Sequence, residues 1–437
     1  MKSRWFGLVV FLLFTGIFFS LTPTPKPVPD LGGSSAWGDD DNKLPSPKNA
    51  TFTTLITTPR RIPRLTGDNN GNLYTIGIGT RPCAVWQINL HKPSLIPVGF
   101  IDPAVGNPAV VNCGFNGIAF NQNGDLFVND GGFIYTFRPS AENPPIATIF
   151  ASGVPGVVSI AFDKKGNLWT GDAATGRGRV WKIAPGGGVC EDAANPYQGC
   201  EEVFRIQPMA NEVNLVNGVG GVGRDVRHLP AGTITVTPTS RNAANTLGSH
   251  FFVASGLAFD KDGDKLFIAD LTRGAIWQAT FNHDGDLKSK TGCDTTFTSN
   301  TLCLDNVFVA HPYLEGAEGI ALDKAGNIWV AARERQAIVL VTKNGKVIEV
   351  FRNPVNSVGL RNSADAAVGN NHILESPSGI FVTGRVLCVA QHDGNNRDNA
   401  PRSGGELIGG ATDDDRPGKI SCMDQELQIP GLALPIK

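Results

Sequence analysis

The sequence predicts an all-β chain: a six-bladed β-propeller with four antiparallel strands per blade, behind an N-terminal signal or anchor segment. One hairpin recurs along the chain. It reads "RLTGDNNGNLYTIG", "GIAFNQNGDLFVND", "SIAFDKKGNLWTGD", "GLAFDKDGDKLFIAD" and "GIALDKAGNIWVAA", with a shorter sixth copy, "GIFVTGRVLCVAQ". A further strand-like run follows most copies ("AVWQINL", "FIYTFRP", "RVWKIAP", "AIWQATF", "AIVLVTK"), and often a weaker fourth ("EEVFRI", "KVIEVFR"). The glycine content (52 of 437 residues) suits a fold made of many turns.

Each copy is an apolar triplet, a turn of Asp or Asn with Gly, then an apolar strand. The turn glycine supplies the positive φ that such hairpins require. A single four-stranded sheet cannot bury both faces, and radial stacking of six covers them. The turn glycines are Gly71, Gly124, Gly166, Gly263, Gly326 and Gly384; the widest gap, between Gly166 and Gly263, spans 97 residues. Residues 207–249 in that gap lack the hairpin text and read as an insertion, with a seventh blade as the alternative. An open sandwich is the competing architecture. The β-prone "ATFTTLITT" at 50–58 is expected to close the ring as the outer strand of the last blade. The organisation is then 1–21 leader, 22–49 Pro/Gly/Asp-rich linker, 50–427 propeller and 428–437 a Pro- and Leu-rich tail along the surface.

Lys2 and Arg4 precede an apolar run from Trp5 to Phe19, the pattern of an export signal; no cleavage motif stands out, so an uncleaved anchor is the alternative. The predicted location is secreted or extracytoplasmic, with membrane contact only through that segment. The eight cysteines fall in order into the pairs Cys83/Cys113, Cys190/Cys200, Cys293/Cys303 and Cys388/Cys422. Sequential disulfides fit an exported chain, with zinc ligation (no C-x-x-C pair is present) and free thiols as alternatives. Balanced charge, 38 basic against 40 acidic side chains, offers no stripe for nucleic acid.

In a propeller the residues just before each apolar triplet converge on one axial opening. Here they are Pro63/Arg64, Asn116, Val158/Ser159, Ser255, Glu318 and Ser378. Glu318 is the one carboxylate among them. With Asn116 it could hold a hard cation through oxygen ligands, and Arg64 is its candidate counter-ion. Arg64, Ser159, Ser255 and Ser378 are candidate contacts for a small-molecule or glycan ligand. His250, His311 and His372 precede three successive triplets and could ligate a metal or serve as a base, His311 above all; Glu315 and Glu375 share those loops. "DKDGD" and "DNNGN" look like calcium loops but lack the required spacing. The runs Asp39–Asn42 and Asp413–Arg416 read as solvated loops. Asn49-Ala50-Thr51 is a glycosylation sequon. No nucleophile elbow, P-loop or H-E-x-x-H occurs.

The copies "NGIAFNQNGDLFVND", "SGLAFDKDGDKLFIAD" and "EGIALDKAGNIWVAA" resemble the SMP-30/gluconolactonase-like six-bladed propellers and, more distantly, the NHL-repeat and strictosidine synthase-like ones. The resemblance covers roughly Ile62 to Met423. It implies one divalent cation, calcium or zinc, on the axis, held by a Glu before the first blade, Asn residues before middle blades and an Asp before the fifth, polarising a lactone or ester carbonyl. Here Pro63 stands at the Glu position, Val158 and Ser255 at Asn positions and Glu318 at the Asp position. Starting the ring at Glu318 places Asn116 at an Asn position but Val158 at the Asp position. Two functions follow: an exported metal-dependent hydrolase of small lactones or esters using Glu318, Asn116 and His311, or a non-catalytic extracytoplasmic propeller that binds a small molecule, glycan or protein.

Overall fold

The structure is a computed structural model that describes residues 50–58, 62–68, 70–77, 83–101, 113–114, 116–173, 177–191, 198–206, 254–295, 297–352, 374, 376–391 and 418–437. The leader, the linker, the 207–249 insertion, His250, His372, Glu375, Asn49 and both acidic runs lie outside these residues.

Six sheets form the ring. Blade one is Leu65–Gly67, Asn72–Ile76, Cys83–Asn89 and Ile96–Ile101. Blade two is Ile118–Phe120, Leu126–Asp130, Phe133–Phe137 and Thr148–Ser152. Blade three is Val157–Phe162, Leu168–Asp172, Arg179–Ile183 and Cys200–Arg205. Blade four is Leu257–Phe259, Lys265–Asp270, Ala275–Thr280 and Val307–Ala310. Blade five is Ala317–Leu322, Ile328–Ala332, Ala337–Val341 and Val347–Arg352. Blade six is Pro377–Thr383, Val386–Gln391 and Gly418–Met423, with Phe52–Thr58 as its outer strand. The expected closure is therefore present: Phe52 pairs with Met423 and Thr58 with Gly418, so both ends of the ring share one sheet.

The hairpin turns behave as their text requires. Their glycines have φ between 74° and 83° at Gly71, Gly124, Gly166, Gly263 and Gly326. The leading Asp or Asn folds the turn: Asp163 Oδ1 accepts the N–H groups of Lys165 and Asn167, and Asp323 Oδ1 those of Ala325 and Asn327. Asn121 does the same for Asn123 and Asp125. In the calcium-like text the same holds: Asp68 Oδ1 accepts the N–H groups of Asn70 and Asn72, and Asp260 Oδ1 those of Asp264 and Lys265, which makes it turn chemistry.

Burial sits between the blades. Six separate apolar clusters fill the six junctions, each drawing side chains from two consecutive blades, including blade six with blade one. Blade three packs directly on blade four, with Trp169 edge-on to Phe259 at 5.6 Å, which leaves no space for a seventh blade between them. The triplets' leading glycine, unremarked in the sequence, makes this stacking close. A Cβ on Gly256 would lie 2.2 Å from Glu318 O of the next blade, and one on Gly319 2.4 Å from Ser378 O. In blade three Ser159 takes that place, and its Oγ accepts the N–H of Leu257 at 3.2 Å.

All four disulfides have the sequential pairing. Cys388–Cys422 joins neighbouring strands of the closing blade. The other three work at or beside blade junctions. Cys83–Cys113 links blade one to the segment leading into blade two. Val189, beside Cys190, pairs with Ser152 on the outer strand of blade two, and Thr301, inside the Cys293–Cys303 loop, bridges to Arg205 on that of blade three. Four disulfides indicate an oxidising, extracytoplasmic environment. Among the described residues no helix is long and apolar enough to cross a membrane.

The tail, 428–437, crosses the lower opening of the ring, where the Asp–Gly turns lie. Leu432 N–H bonds Leu322 O, Gly431 N–H bonds Gly384 O, and Pro430 O accepts from Lys324. Gln122 Nε2 reaches Ile436 O from blade two. Leu432, Leu434 and Pro435 form the floor of the axial cavity. Leucines spaced by two, Leu432 and Leu434, present one apolar edge to the apolar side chains that line the axis.

Candidate functional site: the axial opening and upper rim

The inner strands all begin at the upper rim, and the sheet register there is irregular. Ala317 pairs with Ala332 but Ile320 pairs with Val330, so Glu318 and Gly319 bulge out of the ladder in blade five. The same irregularity falls between Val157 and Ile160 in blade three and between Pro377 and Gly379 in blade six. A bulge re-aims side chains that a regular ladder would send into the blade junction.

Arg64 uses this geometry to span the opening. From blade one its Nε donates to Val158 O of blade three at 2.8 Å. Its Nη1 donates to Glu318 Oε1 of blade five at 2.7 Å and Ser378 O of blade six at 2.9 Å. Its own carbonyl is fixed by Thr75 Oγ1 at 2.7 Å. The other Glu318 oxygen accepts from Arg333 Nη1 at 3.2 Å. All three side chains are nearly closed to solvent: 8% exposed for Arg64, 7% for Glu318 and 12% for Arg333. One carboxylate thus joins two guanidiniums into a crossbar over the axis with a net charge of +1. Removing one member of such a buried cluster typically costs about 3–5 kcal/mol, because a charge is left without its partner.

Beneath the crossbar the axial cavity is small, about 90 Å³, and lined by the triplets' apolar side chains, among them Ile118, Phe120, Ile160, Leu257, Phe259 and Ile320. Small-molecule sites usually measure roughly 300–1,000 Å³. The axis is closed above by Arg64 and below by the tail.

Of the sequence-predicted residues, Arg64, Glu318 and Ser378 meet at the opening. Ser378 Oγ donates to Pro63 O at 2.8 Å. Asn116 is held within blade two, its N–H on Asn129 Oδ1 at 3.1 Å. Ser159 serves the junction with blade four, and Ser255 is buried with its N–H on Ala269 O. His311 stands on the same rim in the crossover from blade four to blade five and makes no hydrogen bond to Glu318. Its Nδ1 accepts the Tyr313 N–H at 3.0 Å. Arg333 was not among the predicted residues; its signal is an arginine in the "ARERQ" turn beside the one rim glutamate.

The implied divalent cation can be tested against this donor set. Both Glu318 oxygens accept from guanidinium groups. A dication placed on either would face those charges at roughly 4–5 Å, a repulsion of about 7–8 kcal/mol each at an effective dielectric near 20. Among the described residues no three His, Cys, Asp or Glu side chains are grouped to hold a metal. The residues as placed do not fit the cation.

The same rim carries three equivalent aspartates at the ends of second strands, each in a different state. Asp172 is saturated by Arg179, with Nε at 2.8 Å and Nη2 at 2.7 Å, and Arg179 also pairs with Glu191. Asp270 holds Arg273 through Nη1 at 2.8 Å and the backbone N–H at 3.1 Å. Among the described residues Asp130 has only the Gly114 N–H on Oδ1 at 3.0 Å, and its buried Oδ2 has no hydrogen-bond partner. Burial pushes the Asp130 carboxyl up from 3.8 to about 6, opposed by the Gly114 hydrogen bond.

Residues 215–359 match the family model described as the SMP-30/Gluconolactonase/LRE-like region, which spans blades four and five. No curated protein matches. Solved structures similar to this chain include a regucalcin, titled a calcium-binding protein, from Agrobacterium tumefaciens (12% identity, 89% of this chain and 97% of that one, TM-score 0.48). A luciferin-regenerating enzyme is similar at 12% identity, 88% and 98% coverage and TM-score 0.47. A gluconolactonase from Xanthomonas campestris is similar at 11% identity, 89% and 91% coverage and TM-score 0.44.

Proposed function

We propose that this SMP-30/gluconolactonase-like six-bladed propeller is a non-catalytic extracytoplasmic binding module that takes a small molecule on its upper rim. The observation that carries the reading is the Arg64–Glu318–Arg333 crossbar. A hydrolase of the implied type needs the rim carboxylate free to hold a cation or accept a proton. Here both of its oxygens fix the guanidiniums that close the axis. The alternative base is also compromised. With Nδ1 accepting a backbone N–H, the neutral His311 carries its proton on Nε2 and is a donor toward any ligand. The four disulfides and the junctions they brace support a rigid scaffold for use outside the cytoplasm.

The test is metal content and lactone or ester hydrolysis of purified protein beside Glu318→Gln. The reading expects no stoichiometric divalent metal and no turnover in either protein. It also expects Glu318→Gln to lose about 3–5 kcal/mol of stability in denaturant unfolding, since Arg64 loses its buried counter-charge. A bound divalent metal and lactone turnover that both disappear in Glu318→Gln would overturn it in favour of the hydrolase.

A further inference from the structure

A pocket of about 390 Å³ opens on the upper rim away from the sealed axis. One wall is the turn between the second and third strands of blade four, Leu271 to Gly274; the other is the crossover into blade five, from Ala310 to Gly316. The two walls are pinned together where His311 N–H bonds Gly274 O at 3.1 Å. Its volume falls in the range of small-molecule sites, and the polar groups reaching it are few.

We infer that this pocket binds a small carboxylic acid, with Arg273 gripping the carboxylate and His311 donating a second hydrogen bond. Arg273 is anchored on one side alone. Its Nη1 and backbone N–H are on the fully buried Asp270, and its guanidinium lies 5.9 Å from the Trp277 ring centre. Among the described residues its Nε and Nη2 donors make no hydrogen bond, and they form the flat fork that matches a carboxylate. Blade three supplies the internal control. There the equivalent aspartate takes Nε and Nη2 of Arg179 while Glu191 takes Nη1, so that arginine is saturated and 2% exposed. The same rim position is thus a closed ion pair in one blade and an open fork beside a cavity in the next. His311 is oriented by the Tyr313 N–H on Nδ1, which leaves Nε2–H as its free donor.

This inference rests on the reading of the rim as a binding face. The experiment is calorimetric titration of the full protein with acetate, glycolate, gluconate and serine, with methyl glycolate and glucose as neutral controls. Saturable binding of at least one of the acids is expected, with no binding of the neutral compounds. Arg273→Lys keeps a charge beside Asp270 but removes the fork, and should weaken binding at least tenfold at unchanged thermal stability. His311→Ala should weaken it several-fold. Equal affinity in Arg273→Lys, or no saturable binding of any acid up to about 10 mM, would overturn the assignment. Lactone turnover dependent on Glu318 would sink the binding-module reading and leave this comparison to be decided on its own numbers.

Discussion

Asp130→Asn should make the protein more stable, and only above mildly acidic pH. The residue is 1% exposed, one carboxyl oxygen has no partner among the described residues, and burial raises the carboxyl to about 6 from 3.8. A raised acid means that the folded state holds the proton more tightly than the unfolded state. Stability contributed by this group is therefore full below about pH 4, falls as pH rises through about 6, and stays low beyond. A shift of about two units corresponds to roughly 3 kcal/mol. The amide cannot ionise, so the variant escapes that loss. It shares with the protonated acid the shortage of acceptors, so that cost cancels in the pH dependence. Glu202, whose pKa is lowered although desolvation opposes its hydrogen bonds to Arg205 and Asn300, titrates in both proteins and cancels as well. The assay is urea unfolding of both proteins from about pH 4 to about pH 8. The stability difference should open from near zero to about 3 kcal/mol, equivalent to a rise in Tm on the order of 4 °C for a chain of this size. An offset that does not change with pH would refute the reasoning, because it would place the effect in packing.

Two further outcomes follow from the packing. Gly256→Ala drives a Cβ to 2.2 Å from a backbone oxygen of the neighbouring blade, which cannot move aside, and should cost about 2–3 kcal/mol in denaturant unfolding; Gly117→Ala, whose nearest contacts are side-chain atoms at 3.0 Å, should cost under about 1 kcal/mol, and a reversed order would count against the close-approach account. Deleting residues 428–437 should uncover the axial cavity and cost several kcal/mol, on the order of 1.5–3 for each apolar side chain withdrawn such as Ile436; a rise in binding of an apolar fluorescent dye at unchanged β-sheet circular dichroism checks it, and an unchanged dye signal would mean that the tail does not seal the axis.

The repeated hairpin made the ring legible because its information is local. An Asp or Asn that caps its own turn, a glycine at positive φ and an apolar triplet specify a blade without reference to anything distant. The ten-residue spacings Cys190–Cys200 and Cys293–Cys303 are local in the same way, and "ATFTTLITT" was left over as a strand needing a sheet. The candidate site was legible only as a set of positions. The convergence of Arg64, Glu318 and Ser378 follows from their places before the triplets, whereas the partner that Glu318 takes does not.

The tertiary structure decided what those residues do, because charge compensation is a property of neighbours in space. Arg333 lies 15 positions from Glu318 and Arg64 lies 254 positions away, and only ring closure and the bulge at Glu318 place both guanidiniums on one carboxylate. The three rim aspartates make the same point. Asp130, Asp172 and Asp270 end the second strands LFVND, LWTGD and KLFIAD, and they became a half-partnered acid, a sealed ion pair and an anchor for an open arginine according to what the neighbouring turns supplied. Text that repeats specifies the blades; the differences between blades acquire chemical meaning only once the fold sets each residue against its neighbours.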